Sequence, residues 1–190
     1  MTLPIIAFGS PILRKKCDII QPNFLELDLL IANMWETMYN ANGVGIAAPQ
    51  INKSIRLFLI DTTPFFDEDE TIDIDTNETI VKQVFINPKI IEEKGEIWSF
   101  NEGCLSIPNI REEVSRKSNI TIEYQDQKFV RHRDTYTGIT ARVIQHEYDH
   151  IEGVLFTDRI SLLRKRMIKS KLNDISKGKV DVGYKMKFLR

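Results

Sequence analysis

The order of elements along this 190-residue chain predicts an α+β fold. Apolar residues follow helical spacing near the start of the chain, strand-like patterns in the middle, and helical spacing twice more near the end. This order of one helix, several strands and two helices differs from the regular alternation of strand and helix in parallel α/β proteins. The length fits a single domain that can bury a full core.

Three stretches carry helical periodicity. The first helix is predicted to begin after Asn23, whose side chain can cap it, and to end at about Asn40. The second covers about 135–152 and ends at Gly153, because glycine accepts the left-handed conformation common after a helix. A third helix is predicted from Ile160 onward.

Short apolar runs predict the strands. Residues 55–61 and 83–87 are typical of buried strands, and residues 119–131 alternate well enough for strands. One face of the last segment is formed by Ile120, Ile122 and Tyr124. Residues 43–50 (GVGIAAPQ) contain too much glycine and too many small residues for a core strand.

Charge is balanced over the whole chain and uneven along it. With 26 basic and 27 acidic residues the net charge is −1, so there is no global attraction to nucleic acid or to a membrane. Residues 64–81 carry seven acidic residues and no Lys or Arg, and we interpret them as a solvated, mobile surface loop. A cation site is the alternative, although the spacing does not match a calcium-binding loop.

The end of the chain is basic instead. Residues 164–190 hold ten Lys and Arg residues against two Asp. This bias is typical of a solvated helix face with a frayed terminus, and it is also compatible with contact to a large polyanion such as ribosomal RNA.

Cysteine usage and hydropathy predict the compartment. Cys17 and Cys104 lie far apart and form no CxxC pair, which favours a reducing, cytoplasmic setting. We interpret Cys17 as a buried core residue. No apolar run reaches the about 18 residues of a membrane helix, and no signal peptide is evident, so we expect no membrane association.

The second predicted helix carries the chemistry. Residues 145–150 (QHEYDH) contain His-Glu-x-x-His, and the four-residue offset places His146 and His150 on one helix face, where they can hold one metal ion. Glu147 can act as a general base on water at that ion. The chain has only three histidines, and we interpret the third, His132, as a surface residue.

A hydrolytic metal needs a third protein ligand and an open position for water. The residues alone leave that ligand open among an acidic residue, His132 and a cysteine. Cys104 stands out because it lies in a turn-like segment, residues 101–106 (NEGCLS), and because a thiolate with two imidazoles suits Zn²⁺ or Fe²⁺. Taken alone, Cys104 fits a small buried core position better.

Three segments, in this order, resemble peptide deformylase. They are residues 43–50 (GVGIAAPQ), 102–106 (EGCLS) and 145–150 (QHEYDH). The combination is specific, whereas His-Glu-x-x-His alone also occurs in many metallopeptidases. The resemblance covers most of residues 1–160.

The resemblance implies an architecture and a division of the chain. Antiparallel sheets are expected around a central helix that carries His-Glu-x-x-His, with one helix N-terminal and another C-terminal to them. Residues 1–160 are expected to form the catalytic domain, with an acidic insertion at about 64–81. Residues 161–190 are expected to add a C-terminal helix and the basic tail to the same domain.

The resemblance also implies the reaction, which is hydrolysis of the N-formyl group from formyl-methionyl nascent chains with release of formate. It implies one divalent metal held by Cys104, His146 and His150, and Glu147 as the acid/base. Fe²⁺ is expected in the cell, and Zn²⁺, Ni²⁺ or Co²⁺ in preparations.

An oxyanion site and a peptide track are implied as well. The oxyanion donors are the side-chain amide of Gln50 and the backbone N–H of Leu105, and such fixed donors stabilise the charge of a tetrahedral intermediate. The substrate is placed along Val44, Gly45 and Gly103, where glycine allows close approach of another backbone.

The formyl-methionine side chain requires an apolar pocket. Val44, Ile139 and Val143 are its candidate residues, the last two lying four residues apart on one helix. Glu102 is a candidate acceptor for the N–H of His146, which would fix the tautomer of that ring. We expect a monomer, with the ribosome as a further partner of the basic C-terminal region.

Two other functions remain open at this point. A metallopeptidase that cleaves internal peptide bonds would use the same helix motif with a downstream Glu or His as third ligand. A non-enzymatic metal-binding or ribosome-associated module would bind metal without hydrolysis.

Overall fold

The computed structural model describes residues 1–66 and 80–188, in which the chain forms three α-helices and seven strands. The helices are α1 (Leu27–Asn40), α2 (Gly138–Ile151) and α3 (Leu162–Ser176). The strands are β1 (Ile5–Ile6), β2 (Gly45–Ala47), β3 (Leu57–Asp61), β4 (Lys82–Cys104), β5 (Ile107–Gln125), β6 (Arg131–Thr137) and β7 (Met186–Lys187). The α+β class is confirmed. Most of the acidic loop predicted at 64–81 lies outside the described residues.

Five strands form one antiparallel sheet in the order β2-β3-β4-β5-β6. The strands predicted at 55–61 and 83–87 are confirmed, but β4 runs for 23 residues and ends only at Cys104. The apolar pattern missed this extension because most side chains after Pro88 are exposed. Irregularities between Ile86 and Lys89 and farther along break the register of β4 with β5.

Several element boundaries differ from the predictions, and the segment predicted at 119–131 is divided between β5, which ends at Gln125, and β6. Helix α1 begins at Leu27, later than predicted, because Glu26 before it has a left-handed backbone (φ 60°). Helix α2 begins at Gly138, because β6 continues to Thr137. The glycine-rich segment 43–50 does contain a strand, β2, which is only three residues long and lies at the edge of the sheet.

One core cluster lies between α2 and the sheet. The predicted inward face of β5 is confirmed, since Ile120, Ile122 and Tyr124 are all buried in this cluster. Ala141 and Ile144 of α2 belong to the same cluster. The apolar face of the helix is therefore held against the sheet by hydrophobic burial, which fixes where its polar face points.

The C-terminal helix packs on a separate cluster. Ile168 and Ile175 of α3 are buried there with Leu155 and Phe156. Cys17 is buried in the core as predicted. No α-helix in residues 1–66 and 80–188 combines the length and apolar character that crossing a membrane requires.

Buried charges join α2 to the two longest strands. Arg116 of β5 donates to both carboxylate oxygens of Glu102 on β4, at 2.7 and 2.9 Å, and to Asp149 Oδ2 on α2, at 2.8 Å. Arg142 of α2 donates to the same Glu102 at 3.0 Å. All four side chains are at most 7% exposed, so each charge depends on its partners for compensation.

Replacing the central cation should therefore destabilise the fold. Arg116→Met leaves Glu102 and Asp149 buried without their shared partner, and we expect a loss of about 3–5 kcal/mol in the free energy of unfolding, measured in urea. The matched control is Arg133→Met, which removes an exposed ion pair with Glu123 and should cost less than about 1 kcal/mol. Equal losses in the two variants would contradict this account of the buried cluster.

Candidate metal and catalytic site

A cleft of about 750 Å³ lies where β2, the β4–β5 turn and α2 meet. The structure brings most of the predicted site residues to its walls. From β2, its flanks and the turn these are Val44, Gly45, Gln50, Gly103, Cys104 and Leu105. From α2 they are Val143, His146 and Glu147. Ile139 is buried one turn before Val143 and is not part of the described lining, so its role in the pocket stays a prediction.

Cys104, His146 and His150 bring their donor atoms together. One sulfur and two imidazole nitrogens lie within 4.8 Å of one another, and the distance from Cys104 Sγ to His150 Nε2 is 3.2 Å. A thiolate with two imidazoles is a donor set suited to divalent metals such as Zn²⁺ or Fe²⁺, so these residues fit the predicted metal. His132 lies elsewhere, with its Nε2 3.0 Å from Asp126 Oδ2.

Glu102 orients His146, as expected. Its Oε2 lies 2.9 Å from His146 Nδ1, which leaves Nε2 as the ring nitrogen for a metal. Burial alone would raise the pKa of Glu102, but hydrogen bonds from Arg116 and His146 hold that pKa well below its usual range. The carboxylate is therefore ionised and accepts the imidazole N–H.

Glu147 is buried beside these residues. Its Oε2 has no hydrogen-bond partner in the described part of the chain. Burial raises the pKa of Glu147 to about 7, a range in which a carboxylate exchanges protons efficiently near neutral pH.

The glycine of β2 makes room for this carboxylate. A Cβ placed on Gly45 would lie 2.5 Å from Glu147 Oε1, closer than any real contact. A glycine at position 45 thus accommodates the close approach of β2 to Glu147 on α2.

Gln50 lies in a 3₁₀ helix, Ala48–Ile51, directly after β2. Its Oε1 accepts the backbone N–H of Ala47 at 2.8 Å. An N–H can pair only with an acceptor, so this contact directs Nε2 toward Cys104 Sγ, at 3.6 Å, and Ser106 Oγ, at 3.3 Å. The side-chain amide thus presents a fixed neutral donor next to the sulfur.

Sequence reasoning missed three residues around the site. Arg142 lies one turn before His146, and its four-residue offset on α2 is a signal that could have found it. Nothing in the sequence indicated Arg116, because a charged residue among polar neighbours on β5 is expected to be exposed. Tyr184 also lines the cleft, and its hydroxyl donates to the carbonyl of Leu105, 79 residues earlier in the chain.

Comparison with known proteins identifies the family of this chain. The model of the polypeptide deformylase family matches residues 2–166. A peptide deformylase of Christiangramia forsetii is 57% identical over 99% of this chain and 96% of its own length, and one of Flavobacterium johnsoniae is 56% identical over the same shares. A crystal structure of a peptide deformylase from Legionella pneumophila has a TM-score of 0.79 at 34% identity, covering 94% of this chain and 98% of its own. This chain belongs to the peptide deformylase family.

Proposed function

We propose a role for each site residue in the reaction of this family, which removes the N-formyl group from formyl-methionyl nascent peptides and releases formate. The observation that carries the proposal is the convergence of Cys104, His146 and His150 within 4.8 Å. Glu147 and Gln50 line the cleft beside them. A hydrolytic site needs these three functions together, namely a metal, a base and an oxyanion donor.

Cys104, His146 and His150 are the proposed ligands of one divalent metal, Fe²⁺ in the cell and Zn²⁺, Ni²⁺ or Co²⁺ in some preparations. Such a metal supplies Lewis acidity toward the formyl carbonyl and lowers the pKa of a water molecule. Glu102 holds the His146 ring in the required orientation through Nδ1.

Glu147 is the proposed general base and acid. Its Oε2 has no hydrogen-bond partner within the described residues, so the carboxylate can take a proton from the attacking water and later deliver it to the leaving amine of methionine. The raised pKa supports both steps, because the group can accept and release a proton near neutral pH.

Gln50 and Leu105 are the proposed oxyanion donors. Gln50 Nε2 is held in place by the contact of its Oε1 with Ala47, and a neutral donor can approach the developing negative charge without repelling it. Together with the backbone N–H of Leu105 it would stabilise the tetrahedral intermediate, each donor contributing on the order of 3 kcal/mol.

The edge of β2 is the proposed peptide track. This strand pairs with β3 on one side only, and within the described residues no strand covers its other side. An extended substrate can lie along Val44 and Gly45, opposite Gly103, and main-chain pairing would tolerate different residues after methionine. Val44, Val143 and Ile139 are the proposed residues of the methionine pocket, and the first two line the cleft.

The same proposal covers the organisation of the chain. Residues 1–160 form the catalytic domain around α2, and residues 161–190 complete it. Burial of Ile168 and Ile175 of α3 in a shared cluster supports this division. We further propose that the protein acts as a cytoplasmic monomer and that its basic C-terminal region contacts ribosomal RNA, supported by the excess of Lys and Arg over residues 164–190.

The two alternative functions are less well supported. A metallopeptidase would need a Glu or His downstream of α2 as third ligand, whereas the ligand cluster found in the described residues uses Cys104. A non-enzymatic module would not require a buried Glu147 beside that cluster with Oε2 left without a hydrogen-bond partner in the described part of the chain.

The role of Glu147 is tested with Glu147→Gln, which keeps the shape and removes the proton acceptor. We expect kcat for formate release from a formyl-Met peptide to fall by about 10²–10⁴-fold, with metal content retained. Glu113→Gln, at an exposed position of β5, is the matched control and should retain activity. Full activity of Glu147→Gln would refute the assignment.

Gly45→Ala tests the steric relation between β2 and Glu147. The new Cβ must displace the carboxylate that lies 2.5 Å away, and a shift of this size should lower kcat by about 10²-fold while the protein stays folded. The effect acts through Glu147, so Gly45→Ala should cause little further loss in the Glu147→Gln background. Additive losses in this double-mutant cycle would show that Gly45 acts by another route.

A further inference from the structure

The turn between β4 and β5 carries two of the proposed functional groups. Cys104 ends β4, and Leu105 follows it with the backbone N–H assigned to the oxyanion. Three contacts hold this turn from outside the hairpin. The Ser106 carbonyl accepts the N–H of Phe8 at 2.9 Å, the Leu105 carbonyl accepts the hydroxyl of Tyr184 at 2.8 Å, and Ser106 Oγ lies 3.3 Å from Gln50 Nε2.

Two of these contacts come from the ends of the chain. Strands β1 and β7 pair in parallel, with Ile5 opposite Met186. Phe8 follows β1 by two residues, and Tyr184 precedes β7 by two residues. The pairing of β1 with β7 therefore places Phe8 and Tyr184 beside the same turn.

Tyr184 is placed to act as a stable donor. Its ring is half-buried and packs on the core cluster that Leu105 also contacts. Burial raises the pKa of Tyr184 to about 12, so the hydroxyl keeps its proton in neutral solution. Asp181 and Val182, just before it, line the cleft, and this whole segment lies beyond the 2–166 matched by the family model.

We infer that Tyr184 is a positioning residue for deformylation, acting through the main chain of the β4–β5 turn. Its hydroxyl fixes the plane of the peptide group that follows Leu105, and so limits rotation of the Leu105 backbone. The N–H on the other side of Leu105 is then held where the oxyanion develops. This inference rests on the proposed function, because it gives Tyr184 a role only through the oxyanion donor.

The experiment compares Tyr184→Phe with Tyr124→Phe. Both remove one hydroxyl that donates a hydrogen bond at 2.8 Å, to the Leu105 carbonyl in the first case and to Asp134 Oδ2 in the second. Steady-state kinetics with a formyl-Met peptide, metal content and amide hydrogen exchange are measured on the full-length metal-loaded proteins. For Tyr184→Phe we expect kcat to fall about three- to tenfold, the size of one lost hydrogen bond, with KM within about twofold.

Hydrogen exchange provides the readout that does not depend on turnover. Amides of residues 104–107 should exchange faster in Tyr184→Phe than in the wild-type protein, with metal content unchanged, and Tyr124→Phe should alter neither kcat nor this exchange. Equal kcat in the two variants, or unchanged exchange at the turn, overturns the inference. A wild-type protein that releases no formate contradicts the proposed function instead, and exchange still decides whether Tyr184 anchors the turn.

Discussion

The site depends on one buried carboxylate, Glu102, and on the cations that surround it. This side chain is 3% exposed and accepts hydrogen bonds from Arg116, Arg142 and His146. A buried charge is tolerated only when it is fully paired, so these contacts fix β4, β5 and α2 relative to one another. Cys104 is two residues farther along β4. The strand that supplies the sulfur therefore also orients one of the two imidazoles.

Close backbone approach is the second constraint on the site. Strand β2 passes so near to Glu147 that any side chain at position 45 would have to displace its carboxylate. The same strand leads directly into the 3₁₀ helix that carries Gln50. A short glycine-containing edge strand thus lies against the proposed base on α2, leads into the proposed neutral donor Gln50, and leaves one edge for the proposed peptide track.

Residue spacing along the sequence predicted those parts of the site that lie within one element of secondary structure. The helical offset of His146 and His150 predicted a shared metal face, because a helix fixes that geometry within one turn. The third donor could not be chosen from spacing, since Cys104 lies 46 residues from His150 in sequence and meets it only through the packing of β4 on α2. The family resemblance selected it. Tyr184 could not be predicted, because its contact with Leu105 joins residues far apart in sequence. The exposed part of β4 could not be predicted either, because a solvated strand shows no regular spacing of apolar residues.

The central claim is that a thiolate and two imidazoles from separate elements hold one ion. It is tested most directly by measuring the metal content of anaerobically prepared wild-type protein and of Cys104→Ala, with formate release from formyl-Met-Ala recorded on the same samples. The account predicts one divalent metal per wild-type chain, formate release, and loss of both in the variant. A Cys104→Ala protein that keeps a full equivalent of metal and its activity would contradict the account.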